Sequence, residues 1–244
     1  MKAPLTIYVG YDQREREAYE VCRASLLRHT RNPLHIVKLD QAALKHAGWY
    51  RRQWYRSGDD RIDLGDQRPF STDFAFTRFM VPALNLYQGW ALFCDCDFLF
   101  TADISEVFRL ADERYAVMCV KHEHETQEGI KMDGVSQGAY HRKNWSSFCL
   151  WNCEHPSNSL LTGYMVNEFP GRALHAFQWL RDDEIGHLPK RWNWLAGVNE
   201  PLGIKPSGIH FTLGVPSMPG CQDTPYAELW RAAAGSLVAT ELAA

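Results

Sequence analysis

No run in this 244-residue chain approaches the roughly 18 consecutive apolar residues that a membrane-spanning helix requires. The opening apolar stretch at residues 5–9 is soon followed by Asp12 and Arg14, so it lacks the length and flanks of a secretory signal. A dominant charge of one sign is also missing: 26 Lys and Arg stand against 29 Asp and Glu, a formal charge of -3. Phosphate backbones are held by basic fields, so nucleic acid is not an expected partner. The seven cysteines are an odd number, and Cys22, Cys94, Cys96, Cys119 and Cys149 stand among apolar neighbours instead of forming a secreted disulfide framework. Cys94-x-Cys96 and Cys149-x3-Cys153 fall in strand-like runs without the paired knuckles of a structural zinc site. These absences point to a reducing cytoplasm and no integral anchor, with peripheral attachment to a membrane surface still open.

What is present suits one α/β domain: 45% hydrophobic residues and 23% charged ones can build a substantial core. Residues 5–9 read as a buried first strand. Ala18, Val21, Cys22, Ser25 and Leu26 then recur at helical spacing behind Asp12 and Glu15, which have the form of a capping box. Asn32-Pro33 ends that helix and residues 34–39 supply a second strand, a β-α-β opening with parallel strands. Residues 45–70 read as an irregular excursion, and Ser71 as the cap of a helix through Val81 that Pro82 ends or kinks. Further strands are expected at 90–94, 115–120 and 148–152, and helices at 160–168 and 172–181. A Pro- and Gly-dense segment follows at 201–220, then a helical tail over 225–244. The polar residues 121–143, with Lys121, His122, His124 and Lys131, are long enough for a lid or an acceptor loop.

The chemistry concentrates at Asp95-x-Asp97. On an extended backbone these carboxylates share one face, and they stand where an apolar strand ends, the position at which open α/β sheets bind ligands. Leu92-Phe93-Cys94 and Phe98-Leu99-Phe100 flank them, so without a counterion their burial would cost several kcal/mol each. Oxygen ligands of this kind suit Mn or Mg, and His210, between Gly208 and Gly214, is a candidate third ligand. A hydrogen-bonded structural histidine is the alternative there.

Several segments together resemble glycosyltransferase family 8 and related GT-A enzymes: Ile7-Tyr8-Val9-Gly10-Tyr11-Asp12, residues 71–79 with Pro82, residues 91–97, residues 144–152, Leu188-Pro189-Lys190-Arg191-Trp192-Asn193 and residues 210–214. The resemblance implies a GT-A fold, a Rossmann-like, mostly parallel sheet flanked by helices in a single domain. Residues 1–120 would hold the nucleotide and residues 121–220 the acceptor and catalytic part. By the same resemblance Gly10, Tyr11 and Asp12 would cradle nucleobase and ribose, and Cys96 would lie beside the nucleotide. Arg78 would contact the donor, Asp95, Asp97 and His210 would ligate Mn, and Trp145 with Ser147 would approach the donor sugar. Asp183 and Glu184 match an acidic stretch beneath the transferring sugar, as nucleophile or as electrostatic support. Trp145 stands where the family has Asn, and no Lys follows His210 where the family has one to contact the diphosphate.

The expected activity is therefore metal-dependent transfer of a hexose from a UDP-sugar to a saccharide or other hydroxyl acceptor, with retention of configuration. A sugar nucleotidyltransferase is the first rival, but the loop after the first strand lacks the Gly-rich, basic character that such an enzyme needs. The second is a non-catalytic sugar-binding protein, which nine Trp and ten Tyr would suit.

Overall fold

The structure, a computed structural model, describes residues 3–122 and 142–242, with side chains to residue 237. Its elements in chain order begin with β1 (Leu5–Tyr11), α1 (Arg16–His29), β2 (Leu34–Asp40), α2 (Gln41–His46), β3 (Trp54–Ser57), β4 (Asp60–Asp63) and β5 (Pro69–Phe70). There follow α3 (Val81–Leu84), β6 (Trp90–Cys94), β7 (Phe98–Phe100), α4 (Ser105–Phe108), β8 (Val117–Cys119) and β9 (Phe148–Asn152). The chain continues with α5 (Gly163–Glu168), α6 (Gly171–His175), β10 (Ile185–His187), β11 (Trp194–Leu195), β12 (Gly208–His210) and α7 (Ala227–Leu242).

A six-stranded sheet in the order β10-β8-β9-β6-β1-β2 forms the centre. β1 pairs in parallel with β2 and β6, β10 pairs in parallel with β8, and β9 alone runs against its neighbours β6 and β8. Strands covered on both faces must be apolar throughout, which is why residues 91–94 and 148–151 are buried without alternation. On α1 the spaced face of Ala18, Val21, Cys22, Ser25 and Leu26 is buried as its periodicity requires. Fully burying a side chain such as Leu26 contributes about 1.5–3 kcal/mol. Ser25 accepts from Phe100 N–H at 3.0 Å and donates to Cys22 C=O at 2.7 Å, which fastens α1 to β7.

A second, three-stranded sheet β11-β12-β7 is joined to the first through Asp95-Cys96-Asp97, the residues between β6 and β7. The antiparallel register of β12 on β7 sets Gly208 opposite Phe100, Ile209 opposite Leu99 and His210 opposite Phe98. That pairing carries a residue from late in the chain to the end of Asp95-x-Asp97.

Four expectations need correction. Residues 45–70 are not irregular: they hold the end of α2 and the antiparallel sheet β3-β4-β5, turned at Gly58-Asp59 with Gly58 at φ +60°. Arg52 holds this excursion to the body through a two-pronged pair with Asp63, Nε to Oδ1 and Nη2 to Oδ2 both at 2.6 Å, and through Nη1 bonds to Val166 and Phe169 C=O. The expected helix from Ser71 is a set of turns, a 3-10 helix at Thr77–Met80 and the single turn of α3, because Phe74, Phe76 and Phe79 are all drawn into the core. The capping box before α1 is half formed: Asp12 accepts from Arg14 N–H, but the Glu15 carboxylate accepts a hydrogen bond from the Cys96 thiol at 3.1 Å. The helix expected over 172–181 is confined to α6. In the segment 121–143, His124 and Lys131 fall outside the described residues.

Candidate active site

β6 ends at Cys94, and the next residue, Asp95, donates its N–H to Ser147 C=O at 3.0 Å. Two residues on, Asp97 C=O accepts from Phe211 N–H at 3.0 Å. The acidic pair is thus fixed by backbone bonds to the chain before β9 on one side and to the chain after β12 on the other. Asp95, Asp97 and His210 converge: one ligand atom from each lies within 4.8 Å of the others.

The histidine is held on three sides. Its ring stacks on Phe98 with centroids 4.4 Å apart, Nδ1 lies 2.9 Å from Asn193 Oδ1, and Nε2 lies 3.2 Å from Asp97 Oδ1. Burial opposes charge on this pair, but their mutual attraction outweighs it, raising the titration of His210 and lowering that of Asp97. Burial pushes Asp95 up to about 7, with Arg78 pulling against it and Asp97 adding to the rise. Asp95 Oδ1 and Asp97 Oδ1 are both buried and neither receives an aligned hydrogen bond, even though Arg78 Nη1 lies 2.9 Å from the first. Two carboxylate oxygens short of donors beside an imidazole are a donor set that fits Mn or Mg.

Arg78 is nearly buried, with 7% of its side chain exposed, so its guanidinium has no solvent-facing alternative. It donates to Phe74 C=O at 3.2 Å and Ser146 C=O at 2.9 Å and lies over the Phe93 ring. Its carboxylate partner is Asp95, not the nearby Asp73, which pairs with Arg61.

These groups open into a cleft of about 800 Å³ lined by Arg78, Asp95, Asp97, Ser147 and His210 among the residues expected from sequence. The other expected residues do not line it. Gly10 is closed off by the Phe74 ring, whose Cγ would stand 2.6 Å from any added Cβ. Tyr11 packs edge-on against Tyr19 beneath Lys38. The Asp12 carboxylate is committed to Arg14, Arg61 and Asp73 N–H and faces a smaller neighbouring cavity. Cys96 is buried against Glu15, and the Trp145 ring lies between Lys121 and Arg142 with Nε1 donating to His122 C=O.

Asp183 and Glu184 also stand apart from the cleft. They lie in a 3-10 turn, Asp182–Glu184, where Asp183 pairs with Arg181 and Glu184 accepts from Ser157 Oγ and Arg181 N–H. A self-capped turn leading straight into β10 has satisfied these carboxylates locally.

The cleft adds groups that sequence reasoning missed. His175 lies at its wall with Nδ1 2.8 Å from Ser146 Oγ, and burial, with Arg78 and Arg52 adding to it, lowers its titration to about 3, so the ring is neutral. Nothing in Ala173-Leu174-His175-Ala176 marks that residue in advance. Asn193, fully buried, was visible only as the end of the segment 188–193.

The sheet order, with its late antiparallel strand and the acidic pair at the strand ends, is that of a GT-A glycosyltransferase fold. No known family profile matches the chain. Among solved structures, apo GlyE of Streptococcus pneumoniae TIGR4 superposes with a TM-score of 0.59 at 16% identity, over 96% of this chain and 60% of GlyE. The galactosyltransferase LgtC, in complex with donor and acceptor sugar analogs, gives 0.58 at 13% identity over 95% of this chain and 96% of its own. Mouse xyloside xylosyltransferase 1 gives 0.51 at 12% identity over 86% and 98%. The chain thus spans about three fifths of the length of GlyE. In sequence it is 43% identical to Protein CDI of Arabidopsis thaliana over 233 residues, 94% of this chain and 85% of that protein. The chain belongs to the Protein CDI family. No helix among the described residues is long and apolar enough to cross a membrane.

Proposed function

We propose that the protein is a metal-dependent glycosyltransferase that moves a hexose from a UDP-sugar to an acceptor hydroxyl with retention of configuration. The observation that carries this reading is the convergence of Asp95, Asp97 and His210 at the wall of a cleft large enough for a nucleotide-sugar. The likeness of the fold to GlyE and LgtC supports it. Asp95, Asp97 and His210 would hold Mn or Mg, and the ion, when bound, supplies positive charge for a diphosphate leaving group.

The chain's own groups supply the rest. Arg78, fixed by two carbonyls and stacked on Phe93, is a preorganised cation beside Asp95, placed to hold phosphate oxygens without reorganising. His175, neutral and bonded to Ser146, offers a hydrogen bond to a sugar hydroxyl without adding charge. The carboxylate beneath the sugar is not assigned to Asp183 or Glu184 in this reading, because neither reaches the cleft. Calorimetry of UDP with Mn and with EDTA tests the proposal: binding should require the metal, since two carboxylates and a diphosphate repel without a cation. Asp97→Asn should lose Mn-dependent binding while leaving the fold intact, and equal affinity of wild type with Mn and with EDTA would overturn the reading.

A further inference from the structure

Behind the metal ligands runs a buried chain of hydrogen bonds whose polarity is set at its far end. Asn144 C=O can only accept, so the Ser147 hydroxyl, 2.7 Å away, donates to it. The Ser147 proton is thereby committed, and its oxygen accepts from Asn193 Nδ2 at 2.9 Å. The Asn193 amide is then turned with its carbonyl toward His210 Nδ1 at 2.9 Å, and that contact requires a proton on Nδ1. Ser147, Asn193 and His210 are all but inaccessible, so water offers no competing partners.

We propose that Asn193, oriented by Ser147, is a positioning residue for the metal. It holds His210 as the Nδ1–H tautomer with the Nε2 lone pair directed at the Asp97 carboxylate. The inference rests on the metal reading above and extends it to two residues that do not touch the ion. With Nδ1 protonated, the neutral ring presents an acceptor to Asp97 Oδ1 at 3.2 Å. Two acceptors facing at that distance need a cation between them, and in its absence a proton takes that place. The opposite tautomer would put N–H toward the carboxylate and leave no nitrogen lone pair for an ion at that position. The chain also gives Ser147 a different task from the donor contact its sequence position suggested: its hydroxyl hydrogen faces the protein interior.

Outer partners of this kind commonly change metal affinity by about 10–100-fold. The test is Mn²⁺ affinity, read from the free-ion electron paramagnetic resonance signal with and without UDP, in wild type, Asn193→Leu, Asn193→Asp and Ser147→Ala. Asn193→Leu removes the acceptor for Nδ1–H and should weaken Mn²⁺ by about 10–100-fold, whereas Asn193→Asp keeps an acceptor there and should stay within a few-fold of wild type. Ser147→Ala leaves the amide free to turn and should fall between the two. In Cd²⁺-loaded wild type, nitrogen-15 resonances of His210 should show a protonated Nδ1 and a coordinated Nε2. A folded Asn193→Leu with wild-type affinity, or coordination through Nδ1, overturns the inference. Should Asn193→Leu fail to fold, the comparison of Asn193→Asp with Ser147→Ala decides, and equal losses in both overturn it. Absence of Mn²⁺ binding in wild type would remove the metal reading itself, an outcome distinct from normal binding that ignores Asn193.

Discussion

Gly208→Ala isolates the packing that delivers His210 to the acidic pair. Gly208 does not have the positive φ that only glycine tolerates well, so alanine carries no backbone penalty there and the effect is purely steric. An added Cβ would lie 2.3 Å from Trp192 C=O oxygen, 3.0 Å from its carbon and 3.4 Å from the Phe100 ring. The obstacle is backbone, which cannot rotate aside, and an ordinary contact needs more than 3 Å, so β12 and the 3-10 turn Lys190–Trp192 must separate by about 1 Å. Overpacking of this size costs about 1–3 kcal/mol, which in a chain of this length lowers Tm by about 2–12 °C. The same movement parts His210 from Asn193, so Mn-dependent UDP binding should weaken by about 10-fold or more, because a 1 Å misplacement in a site can cost far more than its distance from the chemistry suggests. Differential scanning calorimetry and titration calorimetry measure the two effects. Gly235→Ala is the control: nothing lies within 4 Å of its Cβ, it sits inside α7, and it should stabilise by about 0.5–1 kcal/mol. A Tm within 1 °C of wild type (~1 °C being about 0.3 kcal/mol here) together with unchanged UDP affinity in Gly208→Ala would refute the reasoning.

Arg78→Lys keeps the charge but loses the planar fork that reaches Phe74, Ser146 and Asp95, so donor hydrolysis should fall in a folded protein; unchanged turnover would return Arg78 to a structural role. Arg52→Met leaves the Asp63 carboxylate buried without its cation and should cost about 3–5 kcal/mol in chemical denaturation, as for other broken buried pairs. His175 titrates near 3 in the fold against 6.5 unperturbed, so the unfolded chain binds the proton first and stability falls as pH drops below 6.5 toward 3. His175→Gln should flatten the acid-side loss by up to about 1.4 kcal/mol per pH unit, and parallel stability curves for the two proteins between pH 6.5 and 4.5 would contradict the neutral assignment.

Residues whose partners are near in sequence, or whose burial is complete, were readable in advance. β6 and β9 fall at the strands expected over 90–94 and 148–152 because continuous apolar runs have no alternative use in a chain of this kind. The α1 face was given by its spacing. What escaped was decided by long-range pairing. β3 is exposed from Tyr55 to Ser57 and the two buried positions of β4 are Arg61 and Asp63, so their apolar signal is thin, although Gly58-Asp59 was a turn signature in plain view. At the site, the acidic pair could be found from its flanks, but the placement of Asp12 depends on Arg61 and Asp73, residues 49 and 61 positions away. Asp183 and Glu184 fit a pattern of residue types and yet turn toward Arg181 and Ser157, since Ile185 must enter β10 immediately and the turn before it closes on itself. His175 has no local signature at all: its identity matters only because Ser146 arrives beside it.

The reversed direction of β9 bears on how this scaffold can vary. β8 ends, and β9 begins, at the same end of the central sheet, the end at which β6 runs into the acidic pair. The fold holds the residues near both ends of this connection: Lys121 donates to Ile185 C=O, and Ser147 is bonded on both sides within the buried relay. The entropy of closing such a connection grows only logarithmically with its length, about 0.6 kcal/mol for each doubling. Relatives can therefore differ in length between those two anchors with little effect on folding. A change of length there leaves untouched the pairing of β6 with β1 and of β7 with β12, and with it the meeting of Asp95, Asp97 and His210.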